Sequence, residues 1–272
     1  MLAPLALLLV SGKAEITVPP EPLRKGWYSK QLLFEGMPIL ASDKVEDQAL
    51  LVVREHFTNM LQNVPRAWVA QLAKRRVQFA IIAEEEQTTD LPEYRYLKKD
   101  RKVNWDERAR GFGGPTASGA EENILEYTTD RYRGASILIH EFSHTLHTEV
   151  FSPMDPRFDR DLAAAYKAAV AEGLWKNTYG GTNAIEYWAN GVQCYFDANY
   201  LASPPNGYHN EICDRQGLQR YDPRLFRLID RAFDRNPWRY PGAYNKTGVG
   251  EAQIRGDLRR VEQALAGQRR SR

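Results

Sequence analysis

Apolar residues between Val45 and Leu61 recur at helical spacing: Val45, Ala49, Val52, Val53, Phe57, Met60 and Leu61 fall on one face. Asp43 and Glu46 stand three residues apart at the head of that pattern, so the sequence predicts a helix start with Asp43 as its cap. Pro65 sits where a second helix would begin, since proline fits the first turn. Val77 to Ala83 is a short apolar run rich in strand-forming residues and closed by Glu84, Glu85 and Glu86; it reads as a strand. The Gly-, Ser- and Thr-rich stretch 110–119 reads as a loop, and Asn123 to Tyr127 as a short strand bordering a cleft. Helical patterns follow over Ala135 to Thr148 (after Gly134, and ended by Ser152-Pro153-Met154-Asp155-Pro156), Asp161 to Leu174, Ala184 to Tyr200, and Pro223 to Phe233. The pattern predicts an α+β fold, mainly helical with a small mixed sheet, without internal repeats or an interdomain linker.

Composition changes this picture little. Hydrophobic residues make up 43% and charged residues 26% of 272, enough for a sizeable core. The net charge of +2 implies no nucleic-acid or acidic-membrane partner. Met1 to Val10 is almost wholly apolar and is followed by small residues, which predicts a signal peptide over 1–14 and a secreted or periplasmic protein. That run is too short to span a bilayer, and no other stretch approaches spanning length. Residues 15–250 are expected to form a single domain, and 251–272 a basic tail, helical or disordered, carrying Arg259, Arg260, Arg269, Arg270 and Arg272. Cys194 and Cys213 permit one disulfide or two buried thiols, and no Cys-x-x-Cys pattern offers a thiolate metal site.

The chemistry concentrates at His140-Glu141-Phe142-Ser143-His144. Two histidines four residues apart project from one helix face and can hold one metal ion, here Zn2+. A glutamate beside the first histidine is placed to accept a proton from water whose pKa zinc has lowered. Leu138, Phe142 and Leu146 give the helix an apolar side, so it is not a free surface helix. His147 lies about 10 Å along the axis from His140, too far to share the ion, and is expected to be a packed histidine. The metzincin pattern fails because His147 and Val150 occupy its glycine and histidine positions. Glu186, near the start of a later helix, would complete a His-His-Glu ligand set. Asn190 one turn on could hydrogen-bond a ligand imidazole. Tyr179, on a glycine-containing approach, could donate to a developing oxyanion. His209 is expected to be an ordinary loop histidine and His56 a structural one, and spacing gives Asp197 no role.

These two segments resemble the gluzincin peptidases related to anthrax lethal factor, in which a His-Glu-x-x-His helix is followed by Tyr-Gly-x-Thr-Asn-x-x-Glu. The resemblance covers roughly 132–196. It implies His140, His144 and Glu186 as zinc ligands, Glu141 as catalytic base and Tyr179 as the phenol that assists the transition state. Where the family often carries a second glutamate, this chain has Asn190. The segments Ile139 to His147 and Glu186 to Gln193 also resemble a set of secreted zincin-like proteins, and that similarity continues through Asn206 to His209 and Tyr221 to Leu225. The expected function is a zinc metallopeptidase acting on a peptide or protein. Two alternatives stay open: an inactive zincin-like binding protein, and a zinc amidase acting on a non-protein amide.

Overall fold

The computed structural model describes residues 15–242. The expected signal peptide and basic tail therefore lie outside the described residues. The fold is α+β and mainly helical around one five-stranded mixed sheet. Its strands are β1 (Lys30–Phe34), β2 (Met37–Ala41), β3 (Gln78–Ile82), β4 (Gly111–Phe112) and β5 (Thr116–Ala120), in the spatial order β1-β2-β3-β5-β4. β1 and β2 form a hairpin whose turn residues, Glu35 and Gly36, both have positive φ, the conformation that matches strand twist. β2, β3 and β5 run parallel, while β4 pairs antiparallel with β5 through Gly111↔Gly119 and Phe112↔Ser118 and forms an edge.

Four sequence expectations are corrected here. The stretch 110–119 is not wholly loop but supplies β4 and most of β5. The segment 123–127 is not a strand: Glu121–Ile124 forms one helical turn, with all four residues buried. The sheet edge beside the helix of the histidines is therefore β4. The long first helix, α1 (Asp47–Leu61), starts after an extended Glu46, and Asp43 does not cap it. Pro65 caps the next helical turn, Arg66–Val69, rather than opening it.

Phe57 ties the layers together. It projects from α1, meets Phe34 and Phe79 of the sheet edge-on, and stacks on Phe142 with centroids 3.7 Å apart. Phe142 belongs to α2 (Ile137–Leu146), the helix of the histidines, so the sheet, α1 and α2 share one aromatic junction. α2 then passes into a π-type turn at His147–Phe151 and a last turn at Ser152–Met154. Beyond the turn come α3 (Phe158–Ala171) and α4 (Ala184–Tyr195); α4 packs on the other side of α2 and α3 packs on α4, with α5 (Arg215–Tyr221) and α6 (Pro223–Ala232) outside. Trp188 of α4 donates to the Ser143 carbonyl at 2.9 Å and packs against Phe151, Phe158 and Phe233. α4 ends at Tyr195, five residues before the sequence pattern suggests, and Asp197 follows with φ 56°. Cys194 and Cys213 are both free thiols.

Candidate metal centre

α2 is fixed at its start before any metal is considered. Ser136 caps it by accepting from Ile139 N, and the Asn123 side chain accepts from Ile137 N while donating to the Ala135 carbonyl. α4 is fixed similarly by Asn183, whose side chain accepts from Ile185 N and Glu186 N. The capped first turn thus presents Glu186 toward α2.

The two helices bring His140, His144 and Glu186 to one point. His140 Nε2 lies 3.1 Å from Glu186 Oε2 and 3.1 Å from His144 Nε2, and His144 Nε2 lies 3.3 Å from Glu186 Oε2. Tetrahedral zinc with bonds of about 2.0–2.1 Å separates its ligand atoms by about 3.3 Å. The triangle therefore has the size a single ion requires.

Hydrogen bonding identifies the atoms that face that point. Gln193 donates its amide nitrogen to the Ser136 carbonyl at 3.0 Å, which leaves its amide oxygen 2.9 Å from His140 Nδ1. His140 Nδ1 must then carry a proton, and Nε2 presents a lone pair. A lone pair 3.1 Å from a carboxylate oxygen is repulsive unless a proton or a metal ion sits between them. The donor set, two imidazoles and a carboxylate, is one that zinc uses in catalytic sites. These residues fit a zinc ion.

The electrostatics agree. Burial works against a charged His140, yet the Glu186 and Glu141 carboxylates outweigh it and raise its pKa above the ordinary value. Burial also opposes a charged Glu186, but His140 and His144 hold its carboxyl far below the usual range. Glu141 is shifted the other way: burial raises its pKa, against the pull of both imidazoles and a hydrogen bond from the Gly113 backbone. The cluster favours a positive charge at its centre, with one carboxylate beside it that holds protons more readily than usual.

β4 continues into Gly113, whose close approach explains why that position is glycine. A Cβ there would lie 2.5 Å from His144 Cβ and 2.9 Å from the Glu141 carbonyl. On the opposite wall, Tyr179 sits in a loop tied down from several directions. Trp175 donates its backbone N–H to the Tyr221 hydroxyl and its indole N–H to the buried Asp222, which also accepts from Tyr187 of α4. Gly181 lets this loop fold on itself, since a Cβ there would fall 2.2 Å from the Trp175 carbonyl. The Tyr179 ring lies 6.2 Å from that of His140, and its phenol pKa is pushed up to about 12 by burial and by the Glu186 carboxylate.

Asn190 does not take the position expected from spacing. Its amide nitrogen donates to the Glu186 carbonyl within the helix, and the amide that meets an imidazole is that of Gln193, further along α4. His147 turns away from the cluster and bonds Asp159 through Nε2 at 2.8 Å. His56 is buried between Trp238 and Tyr240. His209 packs against Tyr200 with its ring tilted and lines the cleft, and burial and the charge of His140 push its pKa down to about 3.

The histidine and glutamate cluster, Gln193, Tyr179 and His209 open onto one cleft of about 900 Å³. Its floor holds His140, Glu141, His144, Glu186 and Gln193; one wall is the segment from Lys102 to Gly114, and the other includes Tyr179, Ile185, Tyr208 and His209. Gln193, Gly113 and the 102–110 wall escaped sequence reading. The repeat of amide side chains along α4, Asn190 and then Gln193, was the one signal that pointed toward a partner for His140.

Among the described residues no helix is long and apolar enough to cross a membrane. No family model matches the chain, and no curated protein sequence does. A solved structure similar to it is the Pro-Pro endopeptidase PPEP-2 of Paenibacillus alvei, at 13% identity and a TM-score of 0.47, covering 71% of this chain and 96% of that one.

Proposed function

We propose that the protein is a zinc metallopeptidase of the gluzincin type, secreted or periplasmic, which hydrolyses peptide bonds in its cleft. The observation that carries this reading is the triangle of acceptor atoms from His140, His144 and Glu186, with the His140 tautomer set by Gln193 and the Glu141 carboxylate alongside.

His140, His144 and Glu186 would hold the ion. When bound, zinc supplies a Lewis-acid centre that acidifies water and polarises a carbonyl. Glu141 accepts the proton of the attacking water and returns it to the leaving amine. The Gly113 N–H holds the carboxylate in place for both halves of that task. The Tyr179 phenol stays protonated near neutral pH and donates to the oxyanion as it develops. Gln193 keeps His140 in the ligating tautomer. An extended peptide pairs with the edge of β4. The test is cleavage of a proteome-derived peptide library by zinc-loaded protein and by its Glu141→Gln variant. Peptide cleavage by the parent and loss of about 10²-fold or more in the variant are expected; equal rates would remove Glu141 from the mechanism.

A further inference from the structure

The wall of the cleft facing Tyr179 carries cations that are not used within the fold. Arg108 ends the helical turn Trp105–Arg108 and lines the cleft with Lys102. Among the described residues neither forms an ion pair, whereas Arg110, next on the same wall, is neutralised by two bonds to Glu122 at 2.7 and 2.8 Å.

Arg108 also has a platform. Its guanidinium lies over the Trp105 ring at 5.9 Å. Trp105 is held from two sides, by an indole bond to Asp100 at 3.0 Å and by an edge contact with Phe112 of β4 at 5.8 Å. An arginine resting on a fixed aromatic face keeps its N–H fork free for a planar anion. Glu107 also lines this wall, so the rim carries two free cations against one carboxylate. Glu141 and Glu186 are balanced by a divalent ion when it is bound. An approaching peptide therefore meets a positive rim beside the catalytic centre.

We propose that the cleft selects peptides carrying an acidic side chain next to the scissile bond, with Arg108 as its main contact and Lys102 supporting it. This rests on the peptidase reading of the cleft and names the substrate class that reading leaves open. The test uses three peptide libraries that differ in one fixed residue, Glu, Gln or Lys, stepped along the peptide. Fluorescein-labelled libraries are titrated with zinc-loaded Glu141→Gln protein and read by fluorescence anisotropy, and unlabelled ones are digested with the parent and read by mass spectrometry. A preference for Glu over Gln of roughly fivefold is expected, the upper end for an exposed charge pair, with Lys disfavoured and the contrast shrinking in high salt. Arg108→Glu should reverse the order, and Arg108→Lys should keep it with a smaller contrast. Equal ranking of the libraries, or a ranking that Arg108→Glu leaves intact, overturns the proposal. Cleavage without charge preference defeats the acidic specificity and leaves the peptidase reading standing. Acid-selective binding without cleavage does the reverse, and neither binding nor cleavage in any library defeats both.

Discussion

Replacing Gln193 with leucine removes the one side chain that fixes the His140 tautomer. Gln193 is 2% exposed, and its two bonds, to His140 Nδ1 at 2.9 Å and the Ser136 carbonyl at 3.0 Å, cross between α4 and α2. In Gln193→Leu the Nδ1–H of a buried imidazole loses its acceptor. Leaving one buried donor unpaired costs about 1–3 kcal/mol. In the metal-free protein the imidazole escapes this by moving its proton to Nε2, and it must return to the unpaired tautomer to ligate, so the penalty falls on metal binding. The range corresponds to roughly 5- to 150-fold in zinc affinity, in line with the usual ~10–100-fold effect of such supporting groups. Asn190→Ala is the matched control, because the Asn190 amide donates to a carbonyl of its own helix. The assay is zinc titration in competition with a chromophoric chelator, with circular dichroism to confirm that both variants fold. The account expects Gln193→Leu to lose at least tenfold and Asn190→Ala to lose less than about threefold. Parent-like affinity in Gln193→Leu, or the larger loss in Asn190→Ala, would refute the tautomer argument.

Tyr179→Phe should lower kcat by about 10²-fold with little change in KM or zinc content, the pattern of a donor used in the transition state, and steady-state kinetics on a cleaved peptide would show it. Gly113→Ala forces a Cβ to within 2.5 Å of His144 Cβ, so thermal melts should report about 1–3 kcal/mol of destabilisation and chelator competition a weaker zinc site. Burial pushes the His56 pKa down to about 4, so in acid the unfolded chain takes up that proton before the folded one. Stability is therefore complete above pH 6.5 and declines as pH falls towards 4, by about 3 kcal/mol from this group. Urea melts across that window should show the slope, and His56→Phe should flatten it.

How much of this was legible depended on the range over which each feature is decided. The His140–His144 pair is local: helical geometry alone puts two residues four apart on one face, so the motif and its metal chemistry were readable. Glu186 was readable from its place near a helix start and from the resemblance of its segment to the gluzincin pattern, and the structure adds the Asn183 cap that fixes that first turn. Gln193 was not, because it and Asn190 offer the same amide chemistry at different points along α4. The choice between them is made by how α4 crosses α2, which no local pattern records. β4 and β5 were missed because Gly111, Ser118 and Gly119 are poor strand formers in isolation. They are selected by close approach: a Cβ at 111 would meet the Ser118 carbonyl at 2.8 Å, and one at 119 the Phe79 ring at 3.1 Å. The 123–127 segment misled in the opposite way. Its Ile124 and Tyr127 suit a strand, but Asn123 and Ile124 complete a buried helical turn that begins at Glu121.

X-ray absorption at the zinc edge of metal-loaded protein tests the central claim most directly, together with metal counting on Glu186→Ala. One zinc per chain is expected, with two imidazole nitrogens and a carboxylate oxygen among ligands at about 2.0–2.2 Å and no sulfur, and with Glu186→Ala losing one protein ligand and much of the affinity. Sulfur in the shell, a third imidazole, or an unchanged spectrum in Glu186→Ala would contradict the site.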